Sequence, residues 1–153
     1  MQFTTIASLL FAASGLASGA SLRPRQDACD YHTAGDWTWR ISRFVGRKPE
    51  GTYYNMISFH VASTNPGSSL EVACTASADR MEDSVFYSCG TDGFEFAFVN
   101  EYNGLIFKYG TDNPIMGTVT LPIVCRAGGA GPNDQVCETF QDRCVTLLAH
   151  PSK

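Results

Sequence analysis

The side chains able to do chemistry in this sequence are few and scattered. There are three histidines, His32, His60 and His150, and six cysteines, Cys29, Cys74, Cys89, Cys125, Cys137 and Cys144. Histidines so dispersed do not assemble into a triad from sequence, and no G-x-S-x-G elbow, H-E-x-x-H motif or P-loop occurs. His60 alternates with Phe59 and Val61, which turns its imidazole toward solvent on a strand. Glu71, Glu95 and Glu101 are the carboxylates a glycosidase pair would draw on, about 5–10 Å apart. Alternation turns Glu71 and Glu95 outward as well, as solvated surface charge. No C-x-x-C pair is present and the histidines show no ligand spacing, so neither a metal nor a cofactor is expected. The run Arg126-Ala127-Gly128-Gly129-Ala130-Gly131-Pro132 lacks the strand–loop–helix setting and the following Lys of a phosphate loop, and Pro132 removes a backbone donor. With a cysteine at each end it reads as a disulfide-closed turn. The residues carry no reaction, and the protein is read as a non-enzyme.

What they do carry is a compartment. Residues 6–16 form an apolar run of eleven that ends in Ala17-Ser18-Gly19-Ala20, a small-x-small cleavage pattern. Eleven residues are too few to span a bilayer, which needs about 20. Residues 1–20 therefore read as a signal peptide and residues 21–28 as a short N-terminal segment open to a second cut after Arg25. All six cysteines remain in the mature chain, an even count that reads as disulfides in an oxidising, extracellular setting. Six cysteines allow 15 pairings, and spacing does not choose among them. Eleven Lys and Arg without a basic block, at a net charge of −4, argue against nucleic-acid or anionic-membrane partners. At 44% hydrophobic and 17% charged, the chain is too apolar for disorder, and its 153 residues suit one domain, placed at residues 29–150.

The elements that position these residues are strands. Trp37, Trp39 and Ile41 alternate with polar neighbours, as do Ile57, Phe59 and Val61, then Leu70, Val72 and Cys74. Phe94, Phe96 and Phe98 repeat the period of two, and so do Leu105, Phe107 and Tyr109. Residues 85–89, 117–121 and 144–148 are weaker strands. Asn103-Gly104, Asp92-Gly93 and Asn65-Pro66-Gly67 punctuate them as turns. Helix is expected only over residues 76–82 and 134–141. The pattern implies an all-β, single-domain antiparallel barrel or sandwich stapled by disulfides. Tyr53 and Tyr54 fall beside Arg47, Lys48 and Glu50, so residues 46–54 form a candidate partner-binding loop with at least one exposed ring, Tyr and Arg being favoured in interface hot spots.

Several stretches resemble the Alternaria major allergen family, which includes secreted elicitors and effectors of plant-associated fungi. They are Met1-Gln2-Phe3-Thr4-Thr5-Ile6-Ala7-Ser8, Trp39-Arg40-Ile41-Ser42 with Phe44, Gly46-Arg47-Lys48-Pro49-Glu50-Gly51-Thr52-Tyr53-Tyr54-Asn55, Tyr87-Ser88-Cys89-Gly90, and Cys125-Arg126-Ala127-Gly128-Gly129 through Pro132 to Cys137. The resemblance implies a non-enzymatic β-barrel that forms a homodimer, binds plant pathogenesis-related proteins of the thaumatin-like class, modulates or triggers plant immunity, and binds human IgE in some members. It also associates a flavonoid-like ligand with the dimer, so a small-molecule carrier is the alternative function. It implies the bridges Cys74–Cys89 and Cys125–Cys137, and it aligns Cys29 with a cysteine that joins two protomers. Cys144 has no counterpart in that pattern. Parity favours a Cys29–Cys144 bridge within one chain; the resemblance favours Cys29 between chains. Both readings remain open at the level of sequence.

Overall fold

The computed structural model describes residues 29, 37–65, 67–91 and 93–149. The leader, the segment 21–28, Asp92 and Pro66 lie outside these residues. Ten strands are present among them: β1 (Trp37–Lys48), β2 (Met56–Ser63), β3 (Glu71–Ser77), β4 (Tyr87–Ser88), β5 (Phe94–Val99), β6 (Gly104–Tyr109), β7 (Ile115–Thr120), β8 (Ile123–Ala127), β9 (Gln135–Thr139) and β10 (Arg143–Ala149). Eight pair antiparallel in the order β3-β2-β1-β10-β7-β6-β5-β4. The sheet curls until its two end strands nearly meet, and Cys74–Cys89 ties β3 to the residue after β4. A disulfide thus stands at the seam of a nearly closed barrel.

Strand β1 changes partner halfway. Trp37 to Ile41 pair with β10, whereas Val45 to Lys48 pair with β9. Between them the register against β2 slips by one residue, and Arg43 adopts φ 54°. A bulge bends the strand that carries it, and here it redirects β1 from the barrel to the β8–β9 hairpin. That hairpin is closed by Cys125–Cys137, which are directly opposed in register. The third bridge, Cys29–Cys144, lies within one chain and fastens residue 29 to β10, with Cα atoms 5.6 Å apart.

The alternation read from sequence fills the interior. Trp39, Ile41, Phe44, Ile57, Phe59, Val61, Phe94, Phe96, Phe98, Leu105, Phe107, Val145 and Leu147 form one core. Phe59 meets Phe96 at 4.8 Å and Phe107 at 5.7 Å between ring centroids, both edge-on. The barrel axis is therefore occupied by rings. Trp37 is the exception to the pattern. It sits at the end of β1, 38% exposed, beside Trp39 and Tyr109.

Two expected elements are corrected. Residues 76–82 are not helical: β3 runs on to Ser77, because Ala76 continues the buried phase of Val72 and Cys74. Residues 134–141 are not helical either, since Gln135–Thr139 pair on one edge with β1 and on the other with β8. Two ladders and a cross-strand disulfide override the weak helical period there. The strand expected over 85–89 shrinks to Tyr87–Ser88. Asn103 takes the left-handed conformation expected of it, but it follows a 3-10 turn, Asn100–Tyr102, rather than closing a two-residue hairpin. Gly67 has φ +83°, and Ser68 N–H donates to Asn65 O, so a turn stands where one was expected.

Candidate functional site

The loop between β1 and β2 is the feature that sequence singled out, and the structure divides its residues into two kinds. Arg47 is tied down. Its Nε and Nη2 donate to Asp134 Oδ1 and Oδ2, both at 3.1 Å, a two-pronged pair across to the loop between β8 and β9. Asp134 is buried, 3% exposed, and its Oδ2 also accepts the Ala130 N–H at 3.0 Å. Its carbonyl accepts the Gly128 N–H at 2.8 Å. A Cβ on Gly128 would overlap the Asp134 carboxylate, so only glycine permits this approach. The Gly-rich run is thus a disulfide-closed turn wound around a buried acid.

Arg47 first, and then the Ala130 amide, hold the Asp134 carboxyl below its ordinary value of 3.8, against the opposing effect of burial. A carboxyl whose folded value is depressed stabilises the fold above its unfolded value and loses that contribution as pH falls through the folded one. The 128–134 turn is therefore expected to loosen below about pH 4. Following the Ala130 and Gly128 amide resonances from pH 6 to 2 checks this. Arg47→Ala should move the transition to higher pH; an unmoved transition would disprove the latch.

Lys48, half-buried, and Tyr54, buried, are also engaged within the fold. Lys48 Nζ donates to Asn100 Oδ1 at 2.9 Å and lies 4.5 Å over the Tyr54 ring. Burial lowers its pKa, and the charge of Asp83 opposes that. Tyr54, expected as a contact, is 2% exposed and packs against Phe44 and Phe98. A Cβ on Gly46 would collide with the Tyr54 ring, which explains the glycine opposite it. The Tyr54 hydroxyl has no hydrogen-bond partner among the described residues. Burial raises its pKa to about 12, so stability is expected to fall as pH climbs from 10, where the unfolded phenol ionises, toward 12. Tyr54→Phe removes an unsatisfied buried group and should stabilise the protein by about 1 kcal/mol. Urea unfolding at pH 7 measures it.

The residues left outward are Glu50, exposed, and Tyr53, half-buried, with the Arg80 guanidinium 5.2 Å over the Tyr53 ring. No ion pair engages Arg80 among the described residues. Hollows flank the loop on both sides. One, of about 410 Å³, is lined by Tyr53, Tyr54, Arg80, Met81, Asp83 and Phe98. The other, of about 470 Å³, is lined by Arg47, Pro49, Glu50, Asn55, Pro132 and Asn133.

Of the remaining candidates, Glu101 lies exposed in the 3-10 turn, and His32 and His150 lie outside the described residues. His60 faces Glu71 at 3.7 Å on the outer surface, and Glu95 binds Lys108. Among the described residues no group of three His, Cys, Asp or Glu could hold a metal ion, and no helix is long and apolar enough to cross a membrane. Sequence reasoning missed Arg80, which only the fold brings to Tyr53. It also missed the exposed Val124, Phe140 and Leu148, whose residue types match those of the core.

These features define a class: a small antiparallel barrel stapled by disulfides, with a loop anchored by its own side chains beside a bridged hairpin. The chain belongs to the family described as Alternaria alternata allergen 1, whose sequence pattern matches residues 41–137. It is 50% identical over 156 residues to the major allergen Alt a 1 of Alternaria alternata, covering 99% of this chain and 98% of that protein. It is likewise 50% identical over 134 residues to the allergen Ste b 1 of Stemphylium botryosum, covering 84% of this chain and 97% of that protein. Crystal structures of Alt a 1 superpose with TM-scores of 0.70 and 0.73 at 46% and 44% identity. They cover 79% and 82% of this chain and 100% and 98% of theirs. The relatives are named as allergens and none as an enzyme.

Proposed function

We propose that this protein is a secreted fungal effector or elicitor that binds a host plant defence protein of the thaumatin-like class and so modulates or triggers plant immunity. Membership in an allergen family makes IgE binding a companion property to test. The observation carrying the reading is the construction of the β1–β2 loop. Arg47, Lys48 and Tyr54 are spent on its shape, so the backbone is held stiff while Glu50, Tyr53 and Arg80 face outward. A preformed loop loses little entropy on binding, and Tyr and Arg are the residue types enriched at interface hot spots.

The test is a pull-down and titration with thaumatin-like proteins from host apoplast. Wild type is expected to bind, and Glu50→Lys, Tyr53→Ala and Arg80→Ala together to weaken binding by about tenfold or more. Undiminished affinity in the triple variant removes the loop from the interface. Absence of wild-type binding removes the thaumatin-like partner. A second reading, a carrier of flavonoid-like ligands, is supported by the hollow of about 410 Å³ beside Tyr53 and Phe98 rather than by the ring-filled axis. A flavonoid-induced thermal shift that Tyr53→Ala abolishes would favour it.

A further inference from the structure

The three disulfides differ in what covers them. Cys74 and Cys89 are 0% and 5% exposed, and Cys29 is 9% exposed against a partly buried Cys144. In the third bridge Cys137 is fully buried but Cys125 is exposed. Its neighbours offer no cover, since Val124 is 53% exposed and the Arg126 side chain 66%. Cys125 lies on β8, which among the described residues pairs with β9 alone and has its other edge open.

Thiol–disulfide exchange is a displacement in line with the S–S bond, and its rate depends on access to the sulfur attacked. Behind Cys125, on the side away from Cys137, lies the open edge of β8. We infer that Cys125 is a thiol-exchange site, through which a small or protein dithiol opens the Cys125–Cys137 bridge before the other two. A thiolate of the dithiol attacks Cys125 Sγ; the new S–S bond forms, the Cys125–Cys137 bond breaks, and its electron pair leaves on Cys137, which takes a proton from water. The second thiol of the reductant loses its proton and attacks its own sulfur in the mixed disulfide, releasing Cys125 as a thiolate that is then protonated. The bridge gains two electrons and two protons, and the dithiol becomes a disulfide. The barrel does not depend on this bond, because β8 is outside the eight-strand path and β9 stays on β1 through its ladder and the Arg47–Asp134 pair. Reduction frees β8 rather than the fold.

The experiment treats the full mature protein with limiting dithiothreitol, blocks thiols with N-ethylmaleimide at intervals, and maps the labels by mass spectrometry. Cys125 and Cys137 are expected to label together, about tenfold or more faster than the other four, while the far-ultraviolet circular dichroism is retained. A parallel incubation with the monothiol glutathione should place the adduct on Cys125. Earlier labelling of either other pair, simultaneous labelling of all six cysteines, loss of the fold with the first bridge, or an adduct on Cys137 overturns the inference.

Discussion

Phe59→Ala is expected to lower the unfolding free energy by about 3–5 kcal/mol, the range for truncating a fully buried phenylalanine. Phe59 has no exposed surface and stands in the middle of β2, on its inward face. Its ring stacks on Phe44 of β1 at 6.4 Å and meets Phe96 of β5 and Phe107 of β6 edge-on. Strands from both sides of the barrel therefore lose a shared contact at once. Their backbones are fixed by ladders and by the Cys74–Cys89 bridge, so the walls do not collapse into the space. A cavity that persists adds its own term to the lost transfer energy. Against a whole-domain stability of about 5–15 kcal/mol, this is a major fraction. Urea unfolding measures it, with Phe59→Leu as the milder control. A loss below about 1 kcal/mol would mean that the interior repacks freely.

Replacing both Cys29 and Cys144 by serine is the second large perturbation. The bridge spans 115 residues, and closing a loop of roughly a hundred residues removes about 4.7 kcal/mol of unfolded-state entropy in the loop-closure treatment. A loss of about 4–5 kcal/mol is the expected result, read from the urea midpoint at unchanged slope. The bridge also decides covalent association. With both sulfurs joined inside one chain, any self-association of the wild type is non-covalent, and non-reducing electrophoresis should show a single monomer band. Cys144→Ser alone frees Cys29, and a band of twice the mass that collapses with thiol is then expected. The same band in the wild type would refute the intrachain bridge.

The barrel was legible because its strands carry one face inward. The period of two through Ile57, Phe59 and Val61, or through Phe94, Phe96 and Phe98, matches the buried sets observed. Such alternation states which residues are core without stating which strands adjoin. The β8–β9 hairpin was harder to read. Val124, Cys125 and Arg126 lie at the surface with no apolar alternation, and residues 134–141 mimic a short helix until pairing with β1 and β8 holds them extended.

The candidate loop shows the division most sharply. Its composition alone marks residues 46–54 as distinctive, because Arg, Lys and two Tyr are gathered between glycines. Composition does not say whether a tyrosine points outward. Tyr54 is internal because Gly46 leaves room for its ring and Phe98 arrives from β5; Arg47 is internal in function because Asp134, 87 residues away, comes to meet it. By itself the sequence determined the fold class, the parity of the cysteines and the short list of loop residues, since these follow from local period and residue type. Which tyrosine is core, which cation is paired, and whether Cys29 finds Cys144 were decided only by tertiary structure. Those outcomes depend on distances between segments remote in the chain, and no local pattern encodes them.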